Sequence, residues 1–258
     1  MIHKYFPILV ASFLVVAELS FGQSLTVAAA ADLSGALSEV AANYHKKTGQ
    51  EIKLSFGASG NLTSQIQNGA PFDLFFSADE DYPKRLAEAG LANANSLYRY
   101  ALGRLVLWIP ESSKLDIEHR GLQTLLDPSV TKIAIANPQH APYGRAAEAV
   151  LRHEGIYDQV APKLVLGENV SQTAQFVESG NAQVGLVALS HALSPQMKSK
   201  GRYWAVPLED YPTLNQSVVV LSKSANKPQA QAFLNYIKTP EVATLLKSYG
   251  FSTTEGTN

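Results

Sequence analysis

Residues 55–62 (SFGASGNL) combine small side chains with a serine hydroxyl, a composition suited to holding an anion. They follow an alternating apolar stretch at 52–56 that predicts a strand, and they open a helix predicted over 61–68. Small residues at such a turn leave the first N–H groups of the helix uncovered, and these groups attract negative charge together with the helix dipole. Ser59 adds a hydroxyl that can donate to the same ligand.

A second turn of the same character lies upstream, at residues 28–34 (AAAADLS). Taken alone, either turn is better explained as a plain helix start after a buried strand. Two such turns in one half of the chain predict a buried oxyanion held by neutral donors. A buried lysine or arginine is not required, because helix ends supply the partial positive charge.

The composition indicates a globular protein of one large domain or two ordinary ones, with 258 residues, 46% hydrophobic and 17% charged. The formal net charge is −1. A nucleic acid or an anionic membrane would require a basic surface, which this balance does not provide. We therefore expect a small-molecule or protein partner, no nucleic acid, and a monomer as the default state.

Residues 1–22 have the features of a secretory signal peptide. His3 and Lys4 precede two apolar runs, and small residues follow at the usual cleavage spacing. We expect a mature chain that begins near Gln23 and a periplasmic location. The chain contains no cysteine, which excludes disulfides, a cysteine nucleophile and thiolate metal sites.

Alternating strand and helix patterns predict an α/β fold with parallel sheets. After a first strand that begins at Leu25, the predicted strands lie at 52–56, 71–78, 105–110, 133–136, 163–166, 184–188 and 217–221. The rhythm restarts after Gly90, which indicates two lobes. We assign residues 24–102 plus 214–258 to one lobe and 103–213 to the other. Ligand sites in open α/β sheets lie at the carboxyl ends of the strands, so a cleft between the lobes should contain both turns.

Four sequence blocks resemble one known family. They are AAAADL at 28–33, SFGAS at 55–59, GAPFDLFFSAD at 69–79 and NPQHAPYG at 137–144. In this order they are similar to the periplasmic molybdate-binding proteins of ABC-type importers, and the likeness extends to KSYGF at 247–251. The resemblance implies a two-lobe, type II periplasmic binding fold that closes over molybdate or tungstate, with two crossover segments and an inner-membrane permease as partner. It implies neither an enzyme nor a cofactor.

The resemblance also implies ligand contacts at Asp32, Ser59, Tyr143, Val170 and Ala188. Ser59 and Val170 match the family pattern, Val170 through its backbone N–H group, and Tyr143 is a known variant. Asp32 and Ala188 stand where some members have serine and tyrosine, which leaves their backbone groups for the ligand. The expected mechanism replaces the water around the oxyanion with these fixed neutral donors, and lobe closure signals to the permease.

Asp32 requires a physical account, because the implied ligand is a dianion. Two unit charges about 4 Å apart repel by about 4 kcal/mol at an effective dielectric constant of about 20. Either the carboxylate turns away and caps the helix predicted over 33–47, or the ligand carries a proton. Monoprotonated phosphate is therefore the rival ligand that Asp32 favours, and sulfate is a further tetrahedral alternative.

Two other classes of protein remain open from the residues alone. Residues 57–61 (GASGN) come near the G-x-S-x-G motif of serine hydrolases, but Asn61 replaces the second glycine. Tyr143, Asp32 and His140 could together bind iron through hard ligands. A turn that presents N–H groups opposes a cation, however, so we expect a binding protein for an anion and no metal cation.

Overall fold

The computed structural model describes residues 24–252, so the predicted signal peptide at 1–22 lies outside the described residues. The described chain alternates between strands and helices. The strands are β1 Leu25–Ala30, β2 Ile52–Gly57, β3 Leu74–Ser77, β4 Tyr98–Gly103, β5 Leu105–Pro110, β6 Ile133–Ala136, β7 Leu164–Gly167, β8 Val184–Ala188, β9 Gly201–Ala205 and β10 Leu214–Val220. The helices are α1 Ser34–Thr48, α2 Ser59–Gln67, α3 Asp81–Glu88, α4 Ile117–Arg120, α5 Pro142–His153, α6 Tyr157–Val160, α7 Val170–Glu178, α8 Leu189–Ala192, α9 Lys227–Ile237 and α10 Pro240–Ser248.

The first sheet has the strand order β2-β1-β3-β10-β4. Strands β2, β1 and β3 are parallel, as the strand–helix alternation predicts. Strand β10 runs antiparallel between β3 and β4, so the complete sheet is mixed. The physical reason is that β4 and β10 lie at the two passages of the chain between sheets, where no crossover helix returns the chain to the same end.

The second sheet repeats this design with the order β7-β6-β8-β5-β9. Strands β7, β6 and β8 are parallel, whereas β5 runs antiparallel to both β8 and β9. The chain passes from the first sheet to the second between Gly103 and Leu105, and it returns between Ala205 and Leu214. Two α/β lobes result, and the assignment of 24–102 plus 214–258 and of 103–213 to them stays a prediction.

Apolar side chains on both faces of the first sheet explain its three layers. Phe76 faces a core formed with α1, α9 and α10, which includes Phe233. Its neighbour Phe75 faces the opposite core, formed with α2 and α3, because consecutive residues of a strand point to opposite faces. The turn after α1 depends on Gly49, whose φ of +74° favours glycine.

The core of the second lobe continues to the facing turns of the first. Trp108 and the apolar residues of β5, β6 and β8 form one cluster with Ala30, Ala31, Ala58 and Ala78, all of which belong to the first lobe. The two lobes therefore touch along the carboxyl ends of their strands. Within residues 24–252, no helix is both long enough and apolar enough to cross a membrane.

Candidate functional site

A narrow cleft between the lobes brings the turns after β1, β2, β6 and β7 together. Its lining residues are Ala30, Ala31, Asp32, Gly57, Ala58, Ser59, Ala78, Ala141, Pro142, Asn169 and Val170. The free volume is about 10 Å³, which is close to the room that one water molecule needs. A ligand therefore enters only when the lobes separate, and a large organic molecule does not fit between these residues.

Three helices start at this cleft. Helix α2 begins at Ser59, α5 at Pro142 and α7 at Val170, so each presents backbone N–H groups without an intrahelical partner. Because proline has no N–H group, Tyr143 supplies the first donor of α5. The Asn169 side chain caps α7 by accepting from Ser171 and Gln172, both at 3.0 Å, which leaves the Val170 N–H outside the cap.

Ser59 has the geometry of a hydrogen-bond donor to the cleft. Its side chain is buried, and its hydroxyl oxygen accepts from the Ala78 N–H at 3.0 Å. A hydroxyl offers one hydrogen besides its acceptor positions. Among the described residues the structure gives no acceptor for this hydrogen, so the hydroxyl can donate to a molecule in the cleft.

Asp32 lines the cleft, but its carboxylate does not cap a helix. Neither the short 3-10 turn at Ala31–Leu33 nor α1 receives a side-chain cap, so the capping interpretation is wrong. The carboxylate oxygen Oδ2 instead accepts from the Gln216 Nε2 at 2.7 Å, because Gln216 reaches it from the crossing strand β10. The other oxygen, Oδ1, is buried and has no hydrogen-bond partner among the described residues.

The surroundings of Asp32 disfavour its charged form. Burial raises the pKa of its carboxyl to about 7, and hydrogen bonds from Tyr143, from Gln216 and from its own backbone offset only part of that effect. Tyr100 extends the network by donating to the Gln216 Oε1 at 3.0 Å. The pKa values of Tyr100 and Tyr143 are raised well above the usual value, first by burial and then by the nearby carboxylate.

The ring of Tyr143 points away from the cleft lining, toward this buried network. Its hydroxyl lies 3.5 Å from the Gln216 Nε2, and a Cβ added at Gly103 would lie 2.4 Å from the same hydroxyl. The side chain therefore packs against both crossing strands, β4 and β10. Tyr143 can therefore donate to a ligand in the cleft through its backbone N–H, and not through its phenol.

Ala188 is fully buried at the end of β8, where it pairs with Leu105. It is not among the residues that line the cleft. The structure thus brings Asp32, Ser59 and Val170 together, with Tyr143 directly behind Pro142, while a contact from Ala188 stays a prediction.

Metal and hydrolase chemistry gain no support from the described residues. Within 24–252, no three His, Cys, Asp or Glu side chains come together as a metal site. The interaction of His140 with α2 is made by its backbone carbonyl, which accepts from the Gly60 N–H at 2.8 Å. The Ser59 hydroxyl accepts from the Ala78 N–H, and among the described residues it donates to no histidine, so no base is placed to activate it.

A second cavity, of about 420 Å³, lies behind Asp32 between α1 and the helices α7 and α8. His191 lines it, is buried, and has no hydrogen-bond partner at either ring nitrogen among the described residues. Burial lowers the pKa of His191 to about 4, so this imidazole is neutral at physiological pH.

Sequence reasoning missed Gln216 and Arg145. Gln216 is a fully buried polar residue in a strand that is otherwise largely apolar, and that contrast was a usable signal. Arg145 directly follows the residues PYG at 142–144 and pairs with Asp79 of the first lobe. Such a pairing depends on how the lobes meet, which spacing along the chain does not reveal.

Comparison with known proteins gives a consistent result. The family model for bacterial extracellular solute-binding proteins matches residues 25–252. The chain is 39% identical over 226 residues to the molybdate-binding protein ModA of Rhodobacter capsulatus, covering 88% of this chain and 87% of that one. It is 38% identical over 225 residues to ModA of Azotobacter vinelandii, with 87% and 88% covered.

A solved structure agrees with these relatives. The periplasmic molybdate-binding protein of Azotobacter vinelandii superposes with a TM-score of 0.85 at 34% sequence identity. The match covers 90% of this chain and 100% of that one.

Proposed function

Because the chain belongs to the family of bacterial extracellular solute-binding proteins, we propose that it captures molybdate and delivers it for ABC-type import. Its relatives at 38% and 39% identity carry the name molybdate-binding protein. One observation from the structure carries the proposal. Three helix starts and the Ser59 hydroxyl converge on a cleft whose lining contains no lysine or arginine.

Neutral donors suit a fully ionised oxyanion. Backbone N–H groups at a helix start bind an anion without bringing a proton that could be transferred or a side chain that must be desolvated as a cation. In this proposal the N–H groups of Ser59, Tyr143 and Val170 and the hydroxyl of Ser59 replace the water of the ion. The backbone of Asp32 adjoins the same space, and Ala188 would contribute at most through its main chain.

Tungstate is proposed as a second ligand, because it has the same shape and charge as molybdate. Selectivity against sulfate would follow from size, since a cleft that closes on the larger ions leaves gaps around a smaller one. The lobes would then present a closed surface to a permease in the inner membrane. This role places the protein in the periplasm, acting as a monomer and without catalysing a reaction.

Phosphate is the second candidate ligand, and the observation that favours it is Asp32. Asp32 lines the cleft, and its buried Oδ1 has no partner among the described residues. A carboxylate oxygen in that position can accept from a monoprotonated phosphate, but it repels molybdate unless Asp32 is itself protonated. Because burial raises the pKa of Asp32 to about 7, the protonated form is accessible near neutral pH.

Thermal unfolding of the mature, ligand-stripped protein tests the proposal. Molybdate, tungstate, sulfate, phosphate and ferric citrate are added separately. A ligand at about 100 times its Kd adds about 2.7 kcal/mol to the stability, which raises the Tm by about 5–10 °C for a chain of this size. Shifts with molybdate and tungstate alone support the proposal. A shift with phosphate and none with molybdate would overturn it, and so would no shift with any oxyanion.

A further inference from the structure

An ion pair joins the two lobes next to the cleft. Arg145, in α5 of the second lobe, pairs with the carboxylate of Asp79, which follows β3 of the first lobe. The same guanidinium donates to the Tyr82 hydroxyl at 3.2 Å, and its centre lies 5.4 Å from the centroid of the Tyr82 ring. One side chain of the second lobe thus makes three interactions with the first.

Asp79 is held in place for this contact. Its Oδ1 accepts from the Ser77 hydroxyl at 3.2 Å and from the Tyr82 N–H at 3.2 Å, whereas its Oδ2 takes the guanidinium. Only 12% of the Asp79 side chain is exposed. Burial raises the pKa of this carboxyl, and Arg145 is among the groups that counteract the rise. Separating the lobes would leave a largely buried carboxylate without its counter-ion.

Both ends of the pair are linked directly to the cleft. Arg145 lies two residues after Tyr143, the proposed backbone donor of α5. Asp79 follows Ala78, which lines the cleft and donates its N–H to the Ser59 hydroxyl. The pair therefore forms in the lobe arrangement that brings the donors around the cleft together.

We propose that Arg145 is a closure residue, which keeps the lobes shut over a bound oxyanion by bridging Asp79 and Tyr82. This inference rests on the proposed function, because it assigns a role in ligand retention. Arg145 does not line the cleft, so it acts by positioning the lobes and not by contacting the ligand. Release of the ligand requires the bridge to break, and loss of Arg145 therefore acts mainly on the dissociation rate.

The contact has two weaker neighbours that also cross the cleft. Asn61 donates to the Glu168 Oε1 at 3.3 Å, and the Gly60 N–H donates to the His140 carbonyl at 2.8 Å. These bonds involve an exposed side-chain pair and a backbone pair, so neither brings an ionic interaction across the cleft. Arg145 is distinguished from them by its charge and by its contact with a largely buried partner.

The test compares dissociation of radiolabelled molybdate, chased with unlabelled molybdate, from the wild type, Arg145→Gln and Arg145→Lys. We expect about tenfold faster release from Arg145→Gln, because the largely buried Asp79 carboxylate loses its counter-ion and the Tyr82 hydroxyl loses a hydrogen bond. Arg145→Lys should fall between the two, since lysine keeps the charge but not the planar fork. Raising the salt concentration should speed release from the wild type more than from Arg145→Gln.

Arg152→Gln is the matched control. Arg152 lies on the same helix and pairs with Glu148 of that helix, so this change removes an arginine ion pair that does not cross the cleft. Its release rate should equal that of the wild type. In an Asp79→Asn background, Arg145→Gln should have little further effect if the two residues act as one unit. If Asp79→Asn does not fold, Tyr82→Phe gives the corresponding cycle through the tyrosine hydroxyl.

Wild-type release from Arg145→Gln would overturn the closure role, as would equal acceleration in Arg152→Gln. A wild-type protein that does not bind molybdate is a different result, because it contradicts the proposed function. If the thermal shifts identify phosphate as the ligand, the dissociation rates of the wild type and the variants are measured with labelled phosphate. The comparison of Arg145→Gln with the wild type and Arg152→Gln then decides the role of Arg145.

Discussion

Replacing Asp32 by asparagine should make the protein more stable above neutral pH. It should also abolish the proton uptake that accompanies ligand binding. The carboxyl is buried against Gln216, Tyr143 and Tyr100, and its pKa is raised to about 7. Within the described residues, the groups that face it are an amide and two phenols, and no lysine or arginine pairs with it. Asparagine has the same shape, keeps an oxygen for the Gln216 amide and carries no charge.

The magnitude follows from the pKa difference between the two states. An unfolded aspartate titrates at about 3.9, so a folded value of about 7 corresponds to about 4 kcal/mol. The folded protein binds the extra proton, and stability from this group is therefore lost as pH rises from about 4 to 7. Asparagine removes that loss but leaves one buried N–H in need of a partner, at a cost of about 1–3 kcal/mol. The net gain at pH 8 is then about 1–3 kcal/mol.

Two assays test this prediction. Urea unfolding of the wild type and Asp32→Asn should give a stability difference that favours the variant at pH 8 and vanishes or reverses at pH 5. Calorimetric titration with molybdate, in buffers of different ionisation enthalpy, should show proton uptake by the wild type near pH 7.5. Uptake is expected because a bound dianion raises the pKa of Asp32 further. The variant should show none.

Ser190→Ala is the control for local disturbance, because the Ser190 hydroxyl donates to the Asp32 backbone carbonyl at 2.7 Å without changing any charge. It should leave the shape of the pH profile unaltered. A stability difference between wild type and Asp32→Asn that is the same at pH 5 and pH 8 would refute the reasoning. Equal proton uptake by both proteins would refute it as well.

Three further predictions concern the neighbouring residues. His191 should make the protein less stable as pH falls from about 6.5 to 4, by up to about 3 kcal/mol, because the unfolded chain binds the extra proton in that window. His191→Leu should flatten this part of the plot of unfolding free energy against pH. An unchanged slope would contradict the lowered pKa of His191. Ser59→Ala should weaken molybdate binding by about 1–3 kcal/mol in calorimetric titration, whereas Val170→Ala should do far less because its proposed donor is the backbone; equal losses would count against both roles. Gly60→Ala should weaken binding about tenfold, because its Cβ would lie 2.8 Å from the His140 Cβ and 2.9 Å from the His140 Cα across the closed cleft. The same Cβ would lie 2.6 Å from the Tyr82 hydroxyl within its own lobe, so the Tm of the ligand-free protein is measured beside the affinity. Unchanged affinity would show that the close approach to His140 is not needed for binding.

Much of the fold is predictable from local patterns. Continuous apolar runs identify β5 and β6, and helical spacing identifies α1 up to Gly49. Strands β4 and β9 were missed, because β4 mixes exposed and buried residues without clean alternation and β9 has no fully buried residue. The antiparallel placement of β10 was also missed, since the direction of a strand depends on where the chain re-enters the sheet.

The site is predictable to the level of its backbone donors and not beyond. Ser59 stands at a helix start that small residues make visible in the sequence, whereas Val170 is reached only through the family resemblance. The direction of the Asp32 carboxylate depends on Gln216, which lies 184 residues away along the chain. The ring of Tyr143 likewise follows from the space left at Gly103. Contacts of this kind are decided by packing between elements distant in sequence.

The position of β10 in the middle of the first sheet also determines when that sheet can form. The Ser217 hydroxyl donates to the Asp79 carbonyl across 138 residues of sequence, and β10 pairs with both β3 and β4. The early strands therefore have an unpaired edge until the final quarter of the chain is available. Pairings over such distances slow folding, because loop closure precedes the contacts that stabilise it. The first lobe is therefore completed only after nearly all of the residues of the chain have been made.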